Sequence, residues 1–477
     1  MESGVINDVA VRASELRGKR VTIVGLGRGR TSVGLARFLA GAGAVITVTD
    51  SRGAADLSEG IARLGELPVA LRLGVRDDEA VADSDYVFVI PGISPSVSTI
   101  VRAEQLGIPV LTEIGLFFRL CPAPIVGITG TKGKTTTTTL IGRVLSQGDR
   151  PVIVAGNIGE AVIHRLPEIT PRHWVVLELS SFQLETLRAS PHMAVITNVT
   201  QDHLDYHGSE EAYVKAKRSI IAWQTHQDFA VLNLDDPTVV AMHTGSDGQL
   251  FPFSVAQRLR RGAFLDGGQL VVQDGHGRHA ILEATALRIP GRHNVANALA
   301  ASAVGVIAGI PDEGIAAALR TFEGVPHRQE VVADVDGVLY VNNSQGTTPN
   351  ATITAIETYD RPAVLILGGV GKGVDFGTMA EVVQRRARGA VLIGQAADEI
   401  ERALRHAPAR RRDAPLVIER ASSMPEAVER ARRIAKAGDV VLLSPACASF
   451  DMFKDMADRG DQFRHAVLEQ TAKVSGR

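Results

Sequence analysis

The sequence has few cysteines, few aromatic residues and little net charge. Its 477 residues include two cysteines, Cys121 and Cys447, and aromatic residues make up only 4%. Two cysteines cannot form a disulfide framework and are typical of a reducing compartment, so we predict a cytoplasmic protein. A net charge of −2 argues against the strongly basic surface that is typical of nucleic-acid binding. We therefore expect no nucleic-acid partner.

Long apolar runs are missing as well. The first residues, MESGVINDVAVRASELRGKR, contain no apolar signal-peptide core, and no run reaches the length of a membrane span. The chain contains 45% hydrophobic and 22% charged residues, which is the composition of a soluble globular protein. The basic run Arg410–Arg412 lies in a stretch rich in proline and alanine and is interpreted as a solvated loop.

Short runs of valine, isoleucine and leucine alternate with segments of helical length. Such runs indicate parallel strands that are covered on both faces. The sequence therefore predicts an α/β protein of three doubly wound, largely parallel modules in series, at 1–112, 113–324 and 325–477. The predicted strands cover 20–27, 44–50, 86–92, 108–113, 123–130, 151–157, 174–181, 194–199, 229–236, 338–344, 363–369, 390–394 and 440–445. The stretch 244–285 predicts a hairpin within the middle module.

The stretch GITGTKGKTTTTTL, residues 127–140, joins a predicted strand to a predicted helix through a glycine loop. This is the context of a P-loop, in which loop amides and the helix N-terminus attract phosphate. Lys134 would reach the β- and γ-phosphates, and the Thr135 hydroxyl would hold Mg²⁺. The general motif has another glycine at position 128, where this chain has isoleucine. The alternative is a glycine turn in which Thr131 merely caps the helix.

A second glycine loop, GLGRGR at 25–30, follows the first predicted strand, and Asp50 ends the second. The pattern is similar to a dinucleotide-binding fingerprint, but Arg30 stands where a third glycine normally lets helix and sheet pack closely. A nicotinamide cofactor is therefore poorly supported. The arginines of the loop, together with Arg52, suit a diphosphate carried by a substrate. A tight turn with solvated arginines is the alternative.

Polar residues follow two further strands of the middle module. Glu178 ends WVVLE, and a carboxylate at this place in a P-loop fold commonly serves Mg²⁺. His203 follows the next strand, within NVTQDHLD. Because ligands bind at the carboxyl ends of parallel strands, these groups are expected near the P-loop. Lys217 lies alone on a predicted helix, where a lysine is usually solvated, and no set of cysteines and histidines has zinc-ligand spacing.

These segments together resemble the Mur ligase family, and within it the MurD type. The resemblance implies an ATP-dependent amide ligase of peptidoglycan precursor synthesis. Such an enzyme adds D-glutamate to UDP-N-acetylmuramoyl-L-alanine through an acyl phosphate, giving ADP and phosphate. Its partners are then small molecules, and a monomer is expected. The matching stretches run through all three modules: GITGTKGKTT, AGNIGE, LELSSFQLE, TNVTQDHLD, AKR, GRHNVANALAA, TFEGVPHR, LGGVGKGVDF and LLSPACASFDMF.

The resemblance implies a Rossmann-like domain for the UDP-linked substrate, a central P-loop domain for ATP and a Rossmann-like C-terminal domain for the amino acid. Residues expected to contact ATP are Gly130, Thr131, Lys132, Gly133, Lys134, Thr135, Thr136, Asn294, Arg328 and Asn343. Residues expected to contact the UDP-linked substrate are Gly27, Arg28, Asp50, Ser51, Arg52, Asn157 and Ser180. Residues expected around the incoming amino acid are Thr347, Lys372, Ser449 and Phe450.

The resemblance also implies two Mg²⁺ ions and a set of catalytic residues. Thr135 and Glu178 would serve one ion, and His203 and Lys217 the other. Lys217 would be carbamylated, which makes it an anionic oxygen ligand of the kind that Mg²⁺ prefers. The implied catalytic residues are Lys134, Glu178, His203 and Lys217.

The third module departs from the family pattern N-D-S-K-A-T-N, since the chain reads NNSQGTT at 342–348. Asn343 replaces an acid, Gln345 replaces a lysine, and Val370 stands where an acid is frequent. L-glutamate or another acidic amino acid therefore remains an alternative to D-glutamate. A sister Mur ligase or a folylpolyglutamate-synthase-like ligase is a second alternative. The third is a ligand-sensing homologue that binds nucleotide without turnover.

Overall fold

The computed structural model describes residues 13–27, 30–74, 78–94, 97–156, 161–200, 204–289, 291–371, 373–408 and 415–475. The chain folds into two compact units, Met1–Phe322 and Glu323–Arg477. Among the described residues, no helix combines the length and apolarity that spanning a bilayer requires.

A parallel sheet opens the first unit. Its strands are β1 (Arg20–Val24), β2 (Val45–Asp50), β3 (Val69–Leu73), β4 (Tyr86–Val89) and β5 (Val110–Thr112). Their order within the described part of the chain is β3-β2-β1-β4-β5. The helices that accompany them are α1 (Arg30–Gly41), α2 (Ser58–Leu64), α3 (Ser98–Gln105) and α4 (Glu113–Leu120). Strand β3 was not predicted, because it is a largely exposed edge strand without a continuous apolar run.

The second sheet of this unit carries the P-loop. Its strands are β6 (Ile125–Thr129), β7 (Val152–Gly156), β8 (Trp174–Glu178), β9 (Met193–Ile196), β10 (Phe229–Leu232) and β11 (Gln249–Leu250). They are parallel and ordered β11-β10-β9-β6-β8-β7 over the residues described. The helices are α5 (Lys134–Leu145), α6 (Ser181–Thr186), α7 (Leu204–His207), α8 (Glu210–Arg218), α9 (Pro237–Met242), α10 (Arg292–Ile307) and α11 (Asp312–Arg320).

A small sheet follows β11 in sequence. Its strands are β12 (Phe253–Ser254), β13 (Gly262–Asp266), β14 (Gln269–Gln273) and β15 (Arg278–Glu283). The pair β13–β14 is an antiparallel hairpin that turns at Gly267 and Gly268, both with positive φ, as a tight two-residue turn requires. The predicted hairpin is therefore confirmed, and β14–β15 adds a second antiparallel pair.

The second unit contains one mixed sheet in its described part. The strands are β16 (Glu330–Val335), β17 (Val338–Asn342), β18 (Ala363–Gly368), β19 (Ala387–Ile393), β20 (Val417–Arg420) and β21 (Val440–Leu443), in the order β16-β17-β21-β18-β19-β20. The helices are α12 (Pro349–Glu357), α13 (Gly377–Arg386), α14 (Ala397–His406), α15 (Met424–Ile434) and α16 (Met456–Ser475). Within the described part of this sheet, β16 and β17 pair antiparallel and the other neighbouring strands pair parallel.

The interiors of the central strands are buried, as the apolar runs predict. All five residues of β8 and all six of β18 are buried, because helices cover both faces of a parallel sheet. The predicted α/β fold of parallel, doubly wound sheets is confirmed. Since parallel strands end at the same edge, the loops after β6, β8 and β9 lie together at one edge of their sheet.

Candidate active site

The glycine loop between β6 and α5 has the backbone of a phosphate cradle. Gly130 and Gly133 have φ values of 150° and 84°, which other residues rarely adopt. A Cβ atom on Gly130 would lie 2.0 Å from Thr197 Oγ1, and one on Gly133 would lie 2.8 Å from Asn297 Oδ1. The strand, glycine loop and helix predicted from sequence are therefore confirmed.

Asn198, just after β9, shapes this loop. Its backbone carbonyl accepts from Thr131 N at 2.8 Å, and its side-chain oxygen accepts from Lys132 N at 2.9 Å. The Asn198 amide then donates to Lys132 O at 2.9 Å, as does Thr197 Oγ1 at 2.7 Å. Two loop amides thus bind Asn198, which fixes the loop against the neighbouring strand.

Lys134 and Lys217 meet at the first glycine of the loop. Lys134 Nζ donates to Gly130 O at 2.9 Å and to Thr131 O at 2.8 Å. Lys217 Nζ donates to the same Gly130 oxygen at 2.9 Å, and Lys217 is only 1% exposed. The expectation that a lone helical lysine is solvated is therefore wrong for Lys217.

Tyr213, one turn before Lys217 on α8, connects that helix to the loop. The Lys217 Nζ atom lies 4.6 Å from the centre of the Tyr213 ring, within cation–π range. The Tyr213 hydroxyl lies 3.1 Å from Thr131 Oγ1, which donates to Thr200 O at 3.0 Å. Thr131 therefore does not cap α5, whose N-cap residue is Gly133, and the capping alternative is wrong.

Glu178 and Thr135 have side-chain oxygen atoms and lie next to the P-loop. Glu178 is the last residue of β8 and pairs in register with Ile128 of β6, two residues before Gly130. Thr135 is the second residue of α5, and the two residues are 3% and 5% exposed. The described residues contain no cluster of three histidine, cysteine or acidic side chains placed to hold a metal.

Asn297 on α10 contacts α5 and connects Asn294 to it. Thr137 Oγ1 donates to Asn297 Oδ1 at 3.1 Å, and Asn297 Nδ2 donates to Asn294 Oδ1 at 3.2 Å. The structure thus brings Asn294, predicted as an ATP contact, to the P-loop helix. The sequence offered a signal for Asn297, since residues three apart on a helix share a face.

Ser180 is the N-cap residue of α6. Its Oγ accepts from Gln183 N at 3.3 Å, and Gln183 Oε1 accepts from Ser180 N at 3.0 Å. This reciprocal pair is a capping box at the start of α6. Any contact of Ser180 with substrate stays a prediction.

Asp50 organises the first glycine loop. Its carboxylate accepts from Leu26 N at 3.0 Å and Gly27 N at 3.3 Å, and it forms a bidentate pair with Arg52. Burial raises the pKa of Asp50, but the bonds from Arg52 and the loop amides outweigh it and lower the pKa to about 2. Asp50 is therefore an ionised anchor for Arg52, whose side chain is 52% exposed; the neighbouring Ser51 is also exposed.

An apolar cleft lies between the ends of β4 and β5 and helix α6. Ile90, Ile93, Phe182 and Tyr206 line it. Its acidic group is Glu113, at the start of α4, which accepts from Ile163 N at 2.9 Å. Burial raises the pKa of Glu113 to about 7, although hydrogen bonds from backbone amides oppose this shift. Sequence reasoning missed Glu113, since a single acid in TEIGLFF gives no local signal.

Three loops of the second unit converge because the strands before them are neighbours. Strand β21 pairs with β17 on one side and β18 on the other. The loops after these strands carry Thr347, buried Ser449, and Phe450, which is 55% exposed. Val370 N donates to Ala448 O at 2.9 Å and ties two of the loops together.

Arg459, on α16, is hydrogen-bonded to two of these loops. It is fully buried, and it donates to Ser344 Oγ at 3.0 Å, Ser344 O at 2.9 Å and Cys447 O at 3.1 Å. Burial lowers the pKa of Arg459 to about 10. Its role was missed because an arginine on an amphipathic helix is usually solvated.

Four predicted site residues lie outside the described residues. They are Arg28, Asn157, His203 and Lys372. The predictions made for them stay predictions.

Three stretches of the chain match models of known protein domains. Residues 19–112 match "Mur ligase MurD-like, N-terminal domain", residues 128–305 match "Mur ligase middle domain", and residues 327–447 match "Mur ligase, glutamate ligase domain". The three matches follow one another along the sequence and cover most of it.

Curated relatives are similar over nearly their whole length. A UDP-N-acetylmuramoylalanine–D-glutamate ligase of Caldanaerobacter subterraneus subsp. tengcongensis is 40% identical over 95% of this chain and 99% of its own. Proteins with the same name from Pelotomaculum thermopropionicum and Roseiflexus sp. are each 41% identical, over 94% and 95% of this chain and 98% and 99% of their own.

Solved structures show the same fold. The UDP-N-acetylmuramate–alanine ligase MurC of Thermotoga maritima superposes with a TM-score of 0.56 at 20% identity, covering 95% of this chain and all of that one. A pseudomurein peptide ligase type C from Methanothermus fervidus gives 0.51 at 18% identity, with coverage of 95% and 100%.

Proposed function

Because the chain belongs to the Mur ligase family, we propose that it is the ATP-dependent ligase that adds D-glutamate to UDP-N-acetylmuramoyl-L-alanine. ATP phosphorylates the substrate carboxylate, and the amine of D-glutamate attacks the resulting acyl phosphate. The C–N bond forms first and gives a tetrahedral intermediate, which loses phosphate as its C–O bond breaks and the amine loses its proton. The products are the amide, ADP and phosphate. This is a step of peptidoglycan precursor synthesis.

One observation carries the proposal. The chain aligns over 94–95% of its length, at 40–41% identity, with relatives that are named for this reaction. The geometry of the first unit agrees with an ATP-dependent reaction, since it contains a glycine loop, a helix N-terminus and two lysines directed at that loop.

The P-loop residues Gly130 to Thr136 are the proposed phosphate site. Lys134 Nζ now bonds two neutral carbonyls of the loop. A phosphate oxygen carries negative charge and attracts the ammonium more strongly than a neutral carbonyl does, so Lys134 exchanges these carbonyls for phosphate when ATP binds. Asn294 and, in the second unit, Arg328 and Asn343 are the further proposed ATP contacts.

The residues around the loop fit a magnesium ion. Thr135 and Glu178 provide a hydroxyl and a carboxylate, the hard oxygen donors that Mg²⁺ prefers, and both are buried beside the loop. These two residues are the proposed ligands of one ion. Bound Mg²⁺ would offset the negative charge on the phosphates and the carboxylate that must approach one another.

A second ion is proposed at His203 and Lys217. An amine nitrogen that donates a hydrogen bond, as Lys217 does to Gly130 O, is a poor magnesium ligand, whereas a carbamate supplies oxygen atoms. The second ion therefore requires carbamylation of Lys217. His203 lies outside the described residues.

The two remaining substrates are assigned to loops at the carboxyl ends of strands. The UDP-linked substrate is proposed to contact Gly27, Arg28, Asp50, Ser51, Arg52, Asn157 and Ser180. The exposed Arg52, held by ionised Asp50, offers the guanidinium that a diphosphate favours. The incoming glutamate is proposed to contact Thr347, Lys372, Ser449 and Phe450.

We also propose domain boundaries near residues 112 and 324. The separate family matches at 19–112, 128–305 and 327–447 support this division. A cytoplasmic location and a monomeric state stay predictions.

Phosphate release by the purified full-length protein tests this function. With ATP, Mg²⁺ and UDP-N-acetylmuramoyl-L-alanine, we expect phosphate on addition of D-glutamate and none with L-glutamate. Release with L-glutamate alone would make the assigned amino acid wrong. Release only with a different nucleotide substrate would identify a sister ligase. Nucleotide binding without turnover for any acidic amino acid would identify a ligand-sensing homologue.

A further inference from the structure

The turn from His327 to Gln329, at the start of the second unit, has an unusual backbone. His327 and Gln329 have φ values of 63° and 46°, in the left-handed region that disfavours residues with a Cβ atom. Arg328 lies between them. Two such residues in three persist only where the surroundings fix the backbone, and such strain concentrates at functional sites.

The segment from Asn343 to Gln345 makes one hydrogen bond to each residue of this turn. Gln345 N donates to His327 O at 3.0 Å, and Gln329 N donates to Asn343 Oδ1 at 3.3 Å. The Arg328 side chain donates through Nε to Gln345 Oε1 at 3.2 Å. The turn is therefore aligned with the segment along its full length.

Asn343 is itself anchored in the sheet. It is 6% exposed, and its Nδ2 donates to Ser444 Oγ at 3.0 Å, directly after β21. Asn342 holds the His327 side of the turn, since its Nδ2 lies 3.1 Å from His327 Nδ1. The residues that fix the turn around Arg328 are thus themselves held at the ends of two adjacent strands, β17 and β21.

The bond at position 345 depends on the residue that this chain has there. The family pattern has lysine at this position, and a lysine ammonium has three donors but no acceptor. Only a side chain with an acceptor oxygen can receive Arg328 Nε. The departure from the family pattern therefore adds a contact that the family residue cannot make.

We propose that Gln345 is a positioning residue that fixes the Arg328 guanidinium in the orientation in which it binds ATP. The naming of ATP as the ligand rests on the proposed function, whereas the bond between the two side chains does not. Arg328 is exposed, and a long exposed side chain loses conformational freedom when it binds a ligand. A partner that restricts it in advance reduces this loss.

Calorimetric titration of the full-length protein with MgATP tests the inference without requiring turnover. Gln345→Met keeps the side-chain length and removes the acceptor, so we expect about tenfold weaker binding, the order of one lost bond to a charged group. Gln462→Met, a control on the exposed face of α16, should change nothing.

Arg328→Met separates a positioning role from a merely structural one. Methionine has no donor for Gln345 Oε1, so Gln345→Met should have no further effect in the Arg328→Met background. An additive effect, or unchanged MgATP binding in Gln345→Met, would overturn the inference, as would a wild-type protein that does not bind MgATP. Binding that follows the expected pattern in a protein without ligase activity would support the inference and reject the proposed function.

Discussion

Lys134 and Lys217 donate to one oxygen atom, the carbonyl of Gly130, at 2.9 Å each. They belong to different helices, α5 and α8, which are well separated in the sequence of the middle module. Because Lys217 is proposed to be carbamylated, Lys134 is the cation that remains at this point to attract phosphate. We interpret this arrangement as the phosphate end of the ATP site.

Replacement of Lys134 by alanine is expected to lower kcat at least about 100-fold, the order found when one preorganised donor to a developing anion is lost. The melting temperature should change little, because Lys134 is only partly buried and bonds to loop carbonyls. Phosphate release measures the loss. A variant with turnover near that of the wild type would show that the phosphate cradle is assigned wrongly.

Lys217 and Lys215 offer a matched pair on α8. Lys217 is buried and bonds Gly130 O, whereas Lys215 is exposed. We expect Lys217→Ala to abolish ligase activity and Lys215→Ala to retain it. With ¹³C-labelled bicarbonate, the carbon NMR spectrum of the wild type should contain a carbamate signal that Lys217→Ala lacks. The same signal in both proteins would place the carbamate elsewhere.

Asp50→Asn is expected to raise the KM for the UDP-linked substrate about tenfold, since the variant loses the charge that holds Arg52. The KM for ATP and kcat should stay close to their wild-type values. Asp83→Asn is the control, because its side chain is 89% exposed and distant in sequence from the glycine loop. An equal rise in both KM values would show that Asp50 acts on the fold as a whole.

Glu113 predicts a pH dependence of stability. Burial raises its pKa in the folded protein to about 7, from an ordinary 4.5. The folded state therefore holds this proton more tightly, and the resulting stability is complete below about pH 4.5 and is lost as the pH rises through about 7. Linkage gives a loss on the order of 3 kcal/mol.

Urea unfolding at about pH 5 and about pH 8 measures how much stability Glu113 loses as the pH rises. Glu113→Gln cannot lose this proton, so the variant's free energy of unfolding should fall less between the two pH values than that of the wild type. Glu59→Gln, in which an exposed carboxylate is replaced, should keep the wild-type difference. Equal pH dependence in the wild type and Glu113→Gln would contradict a raised pKa at Glu113.

The sequence predicted the central strands and the P-loop because their signals are local. The strand that ends at Thr129, the glycine loop and the helix that begins at Lys134 are adjacent in sequence. Edge strands such as β16 and β20 were missed, since their exposed residues form no continuous apolar run. Residues that act through distant contacts were also difficult to predict.

Lys217 is the clearest case of such a residue. Its burial depends on the packing of α8 against the P-loop, where Tyr213 of α8 contacts Thr131. No pattern within α8 distinguishes Lys217 from Lys215. The contact of Gln345 with Arg328 likewise depends on a strained turn that arises only in the folded second unit. The family resemblance predicted that Lys217 is a metal ligand, whereas its contacts with Gly130 and Tyr213 are known only from the structure.

The central claim is that the γ-phosphate of ATP passes to the substrate carboxylate before D-glutamate reacts. UDP-N-acetylmuramoyl-L-alanine labelled with ¹⁸O in its alanyl carboxylate tests this directly, because the oxygen that bridges carbon and phosphorus leaves with phosphate. We expect each phosphate released with D-glutamate to carry one ¹⁸O atom by mass spectrometry. Phosphate without ¹⁸O would mean that water, and not the carboxylate, accepts the phosphoryl group, and it would contradict the account.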